Sequence, residues 1–179
     1  MKKNTDYLKT IGTLIAKLET NGVETVLVGG MALVILGSQR VTNDFDFLVS
    51  LQNSTTEKII TVFYQHGFEL VAKLNEQGEV IRTIANKKVA ILRVKLDEPQ
   101  SVYFYNRKTE LKIDLLFDFP LPAKRILEHA HKIKLGSHFI RVACREDLLH
   151  LKEIAYKNRG AAADAQDLEF LRKKTIRGF

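Results

Sequence analysis

The stretch Asn43-Asp44-Phe45-Asp46-Phe47-Leu48-Val49 constrains this chain more than any other. Residues two apart on a strand share a face, so an extended backbone projects Asp44 and Asp46 together and Phe45 and Phe47 to the other side. Two carboxylates this close repel one another, and burying either without a partner is costly. Their apolar flanks place them in a packed sheet rather than a solvated loop. A divalent cation would resolve the repulsion. Mg²⁺ (or Mn²⁺) is the natural candidate, because it takes carboxylate oxygens and brings phosphate-bound substrates with it. The plain alternative is a sheet edge whose two aspartates face water.

What precedes and follows this stretch extends the constraint. Val23 to Val28 is a β-branched run that reads as a short buried strand; Gly29-Gly30 follow, then an apolar helix from Met31 to Leu36 ended by Gly37. Glycine allows a tight turn and a close approach to the backbone, and a helix N-terminus offers unpaired amides to an anion such as a nucleotide phosphate. Alone, such a turn is weak evidence. Arg40 would pair with a phosphate or form a surface ion pair, and Thr42 would hydrogen-bond around the acidic turn. Further on, Asp114 lies inside the apolar segment Leu111 to Phe117. If that strand lies beside Asp44–Val49, three carboxylates converge, and with a phosphate cradle they are the parts of a two-metal phosphoryl-transfer site. Asp118 is expected to end the strand before Pro120.

The remaining pattern predicts helices and strands in a mixed sheet. Tyr7, Leu8, Ile11, Leu14, Ile15 and Leu18 form an amphipathic helix stopped at Asn21-Gly22, and a capped helix runs from about Ser54 to about His66. Residues 73–88 are polar and give no clear assignment. Val89–Leu96, Val102–Tyr105 and Leu111–Phe117 read as a three-stranded meander. Then come a helix through Ala130-His131-Lys132-Ile133, a short strand in Ser137–Ala143, a helix from Cys144 to Asn158 and a last helix from Asp164. The expected domain is single, with a core at about 23–120 and a C-terminal helical part at about 121–179. Tyr103, Phe104 and Tyr105 near Arg107 and Lys108 either stack bases or simply pack in a strand, and His129 and His131, two apart on the predicted helix, make a poor metal pair.

The 179 residues carry a formal net charge of +7. Thirteen Lys+Arg against seven Asp+Glu fall in residues 121–179, so the excess is concentrated in the last third. A basic lobe attracts phosphate-rich partners. It also counts against a cationic acceptor such as an aminoglycoside. One cysteine, Cys144, excludes an internal disulfide and a cysteine-held metal. The start, MKKNTDYLKT, is basic but is not followed by the apolar stretch of a signal peptide, and no run is long enough to span a bilayer, so a cytoplasmic protein with no membrane partner is expected.

Gly29-Gly30, Ala32-Leu33, Gly37, Arg40, Thr42, Asp44 and Asp46 together resemble the signature of the DNA polymerase β-like nucleotidyltransferase superfamily. The variant resembles the abortive-infection type IV toxin nucleotidyltransferases and their small uncharacterised bacterial relatives. Asp114 resembles the family's third catalytic aspartate, and the C-terminal helices resemble its closing helices, with Lys152, Arg159, and Asp164 with Asp167 at the pattern's basic and acidic positions. The resemblance implies an α/β (α+β) fold: a mixed sheet flanked by helices with a C-terminal helical segment. It implies Asp44, Asp46 and Asp114 as catalytic metal ligands, Gly29, Gly30, Arg40, Thr42, Lys152 and Arg159 at the nucleotide, and Mg²⁺ (or Mn²⁺) as cofactor. It implies transfer of a nucleotidyl group from a nucleoside triphosphate to a hydroxyl, and a cognate antitoxin as partner; the acceptor is open, and the basic last third favours RNA such as a tRNA end. The alternatives are a small-molecule (antibiotic) nucleotidyltransferase and a non-catalytic nucleotide- or RNA-binding or antitoxin-like module of the same fold. Asp164 and Asp167, three apart on a helix, read as structural.

Overall fold

A computed structural model describes residues 2–50 and 55–173, with side chains from Tyr7 onward. The N-terminal helix α1 (Lys2–Thr20) buries Ile11, Leu14, Ile15 and Leu18 completely, as their spacing requires. It stops where Gly22 takes φ 76°, which lets the Gly22 and Val23 amides donate to the carbonyls of Glu19 and Leu18. Strand β1 (Thr25–Val28) runs straight into helix α2 (Gly29–Ile35), and the chain returns through β2 (Phe45–Val49). Helix α3 (Thr55–Gln65) follows; the predicted cap at Ser54 lies outside the described residues.

Among the described residues eight strands form one mixed sheet. Besides β1 and β2 it contains β3 (Glu69–Leu74), β4 (Val80–Ile84), β5 (Ser101–Asn106), β6 (Leu111–Phe117), β7 (His131–Leu135) and β8 (His138–Val142), in the order β4-β3-β5-β6-β2-β1-β8-β7. The β2–β6 and β1–β8 pairs are parallel and the rest antiparallel. Strict alternation divides the residues between two faces. On one, α1 and α3 cover Phe45, Phe47, Ile113 and Phe104, and Phe63 of α3 stacks on Phe104 at 4.0 Å between ring centroids. The other face carries Asp46, Asp114 and Tyr103 under α5 (Ala123–His129) and α6 (Arg145–Arg159), with α7 (Ala162–Arg172) packed on α6.

Two expectations differ from the structure. Val89–Leu96 is not a strand but part of helix α4 (Lys87–Asp97). The Asn86 side chain caps it by accepting from the amides of Lys88 and Val89, and Ala90 and Val94, four apart, are its buried residues, while Val89, Leu92 and Leu96 are exposed. The place expected for it in the sheet is taken by β3 and β4, on the far side of β5. The helix predicted through Ile133 ends at His129, and His131 opens β7, so the two histidines lie on different elements. The last third is therefore helical around an inserted hairpin, β7–β8. Among the described residues no helix is long and apolar enough to cross a membrane.

Candidate active site

The parallel pairing of β2 with β6 sets Asp46 directly beside Asp114. Asp46 is fixed from below by the turn between β1 and α2. Its carboxylate accepts the Gly30 amide, and a Cβ on Gly29 would lie 1.9 Å from Asp46 Oδ2. Gly29 also has φ 67°, so only glycine fits there. A Cβ on Gly30 would lie 2.9 Å from Arg40 Cζ. The two glycines thus admit Asp46 and Arg40, and the expected phosphate cradle is partly filled by the protein's own carboxylate.

Asp44 stands just before β2, about half exposed, with Lys112 Nζ 3.5 Å from its Oδ2. The arrangement is a close pair, Asp46 and Asp114, with Asp44 drawn aside to a lysine. Among the described residues no three His, Cys, Asp or Glu side chains gather tightly enough to hold one ion as they stand.

The electrostatics of the pair are unfavourable without a cation. Burial first, then the neighbouring Asp44 charge, raises the Asp46 carboxyl above its ordinary range. Burial and Asp46 push Asp114 up to about 7, against the pull of the Tyr103 hydroxyl and Lys112. Asp114 Oδ1 is buried and has no hydrogen-bond partner. Two crowded carboxylates and an orphaned oxygen, with oxygen donors only, fit a hard divalent cation.

Two members of this cluster escape the sequence reading. Tyr103 faces Asp114 across the β5–β6 ladder, and burial, with Asp114 next, pushes its phenol up to about 12. Lys112 precedes Asp114 by two residues, hence shares its face, and stands 5.5 Å from the Tyr103 ring centroid. The period-two signal for Lys112 is present in the sequence; Tyr103 needs the register of two strands. Phe104, by contrast, is core.

Opposite the carboxylates, α6 and α7 present a buried ion network. Lys152 Nζ lies 2.7 Å from Asp167 Oδ2 and 3.2 Å from Asp164 Oδ1. Arg40 Nη1 reaches the same Asp167 oxygen at 2.5 Å, and Arg159 Nε lies 2.6 Å from Asp164 Oδ2. Asp164 and Asp167 are 1% and 3% exposed, so both would be untenable as isolated charges. The Arg159 hydrogen bond holds the Asp164 carboxyl below its ordinary range. Three predicted phosphate ligands are thus gathered by the two aspartates read as structural, leaving one positive charge in excess. Thr42 is half-buried in the loop between α2 and β2, with no side-chain hydrogen bond among the described residues.

A cleft of about 300 Å³ separates the two sets of charges. Gly29, Asp46 and Asp114 form its floor, Leu151, Lys152 and Arg159 its wall, and Phe119-Pro120 its lip. Cys144 lies outside it, and burial pushes its thiol up to about 11, far from thiolate chemistry at neutral pH.

The sequence pattern of the AbiEii family, described as the nucleotidyl transferase AbiEii toxin of type IV toxin–antitoxin systems, matches residues 15–178. The chain belongs to that family. As an AbiEii-family protein it is a nucleotidyl transferase, and its mixed sheet with closing helices agrees. An antigenic nucleotidyltransferase-like protein from Paracoccidioides brasiliensis is similar over 97% of this chain and 78% of its own, at 14% identity and TM-score 0.59. The antibiotic-resistance factor ANT(2'')-Ia is similar over 93% of this chain and 83% of its own, at 8% identity and TM-score 0.59. The lincosamide antibiotic adenylyltransferase LnuA, lincomycin-bound, is similar over 93% and 97%, at 12% identity and TM-score 0.55. At such identities these likenesses speak for the fold alone. No curated protein sequence matches the AbiEii-family chain.

Proposed function

We propose that this AbiEii-family chain is a divalent-metal-dependent, cytoplasmic nucleotidyltransferase that moves an NMP group from a nucleoside triphosphate to a hydroxyl of RNA, acting as a toxin held in check by a cognate antitoxin. The observation that carries the chemistry is the in-register pair Asp46 and Asp114, which faces Lys152 and Arg159 across a cleft. The excess of cations in the last third favours RNA over a cationic small molecule.

Asp46 and Asp114 would hold the metal, with Asp44 joining them by leaving Lys112. When bound, the metal supplies charge neutralisation at the triphosphate and lowers the proton affinity of the attacking hydroxyl. Lys152, Arg159 and Arg40 offset the charge on the phosphates, and the Gly29-Gly30 turn and Thr42 line the nucleotide's approach. The acceptor oxygen attacks the α-phosphorus, the bond to the β-phosphate oxygen breaks, and pyrophosphate leaves. Asp114, on the floor of the cleft beside Asp46, would take the hydroxyl proton. Apart from that, catalysis is positioning and electrostatics.

The test is incubation with each α-³²P-labelled NTP, Mg²⁺ or Mn²⁺ and total bacterial tRNA, beside Asp46→Asn and Asp114→Asn. Label on RNA that disappears in both variants is expected. Nucleotide binding with no label on any acceptor would overturn transfer in favour of a binding module.

A further inference from the structure

We infer that the outward face of the β7–β8 hairpin, together with α5, is the surface that grips the RNA acceptor. This rests on the nucleotidyl-transfer reading above and extends it to the recognition of the acceptor.

The sheet register places this face. Leu27 of β1 pairs with Phe47 on one side and with Val142 of β8 on the other, so Val142 and Ile140 share the face covered by α1. The alternate residues Arg141 and Phe139, and their cross-strand partners Lys132 and Lys134, therefore point to the face of Asp46 and Asp114. β7 is the edge strand, three strand positions from β2. At about 4.8 Å per position the hairpin lies about 14 Å across the sheet from β2, and the register sets Lys132 and Lys134 two and four residues further along it than Asp46, so the two lysines stand about 16 and 20 Å from the catalytic pair. That is about five or six nucleotides at 3.4 Å per phosphate along one strand of a helix.

The charges on this face differ from those elsewhere. Arg141 is already bonded to Glu19 and Glu24. Lys132 and Lys134 of β7, and Lys124 and Arg125 of α5, are exposed, and none has a carboxylate partner among the described residues. Glu128 is the one acidic residue of α5. Beside the lysines Phe139 is 48% exposed, with Lys132 Nζ 5.2 Å from its ring centroid. Unpaired cations set around a half-exposed ring suit phosphates and a base together, the combination used by proteins that hold single-stranded nucleic acid. An acidic protein would satisfy the lysines but gives no use to the ring or to the shared catalytic face.

The experiment is fluorescence-anisotropy binding of labelled bulk tRNA to the full chain, in EDTA so that no transfer occurs, over a series of salt concentrations. Lys132→Ala with Lys134→Ala should raise Kd at least tenfold and reduce the slope of log K against log salt by about 1.4, at about 0.7 for each phosphate no longer neutralised. Phe139→Ala should weaken binding and leave the slope unchanged. Mg²⁺–NTP binding should be the same in all variants, which also shows that they fold. As a check that needs no variant, 4-thiouridine RNA photocrosslinked to the unaltered chain should mark peptides spanning residues 132–139. RNA binding that is unaffected by the substitutions, or crosslinks confined to other peptides, would overturn this surface and leave the transfer reading standing. Failure of the unaltered chain to bind RNA at all would overturn the RNA acceptor itself. Binding of anionic vesicles equal to that of RNA, lost in the same variants, would reassign the face to a membrane and overturn the inference.

Discussion

At position 29 a side chain has no room. Gly29→Ala must adopt a left-handed backbone and drive its methyl into the Asp46 carboxylate. The backbone alone costs about 1–2 kcal/mol. We expect urea unfolding to show at least that loss, with turnover falling more than tenfold because Asp46 is displaced; an alanine variant with full activity would contradict this placement. Asp114 carries a second residue-scale consequence. Its folded pKa, about 7, lies above the ordinary 3.8, so the folded state holds the proton more tightly. Its contribution to stability is fully present below about pH 4 and lost as the pH rises towards 7. Metal-free protein should lose stability across that window, by no more than about 1.4 kcal/mol per pH unit from this one group, and Asp114→Asn should flatten the slope in thermal melts with EDTA. Asp164, shifted downward, acts only at lower pH, whereas Asp46, raised by burial, adds a loss of the same sign as Asp114. Asp44, Asp46 and Asp114 can be singled out in the sequence because a carboxylate in an apolar strand is conspicuous. Which two touch cannot, because that depends on the pairing of two distant strands. Nor does the spacing reveal that Arg40, Lys152 and Arg159 bond to Asp164 and Asp167.

Elements are legible where one face is buried and the other wet. α1 and β2 have that asymmetry, and the sequence yields the right type for both, nearly the right ends for β2 and the right stop for α1, which starts at Lys2, before the periodic run from Tyr7. α4 lacks it: three of its apolar residues face outward, so β-branched content suggests a strand and only the Asn86 cap marks a helix. β3 and β4 form a hairpin at the sheet edge with little buried surface, so their alternation is faint. How α6 and α7 are fastened to the sheet yields another prediction. Asp167 joins Lys152 of α6 to Arg40 of the loop after α2. Asp167→Asn leaves Lys152 buried and short of one carboxylate, and should destabilise the chain by about 3 kcal/mol. Removing the exposed Asp97 partner of Arg93 should change stability by no more than about 0.5 kcal/mol. Equal losses in denaturant titrations of the two variants would show that the network does not fasten α7.

Across the whole molecule, stability should be graded from the centre of the sheet outward. β6, β2 and β1 lie at the middle of the sheet, whereas β4 and β7 are its end strands among the described residues. Hydrogen exchange should be slowest in the three central strands and fastest in the two edges; uniform protection would contradict this grading. The shared fold with proteins at 14% identity and below shows how little of this architecture resides in particular side chains. What this chain uses to build it is alternation, a tight turn between β1 and α2 and a parallel return through β6.

That parallel return has a temporal consequence. Asp46 and Asp114 meet only when strands far apart in the chain have docked, and contacts of that kind form late because a long loop must close first. Lys152 is translated later still. A ribosome that has not yet reached residue 114 therefore carries one carboxylate of the pair and none of the opposing helix, and on the function proposed above fragments released at that stage would be inert. On the toxin reading proposed above, the order of synthesis would keep the incomplete chain harmless to the cell that makes it.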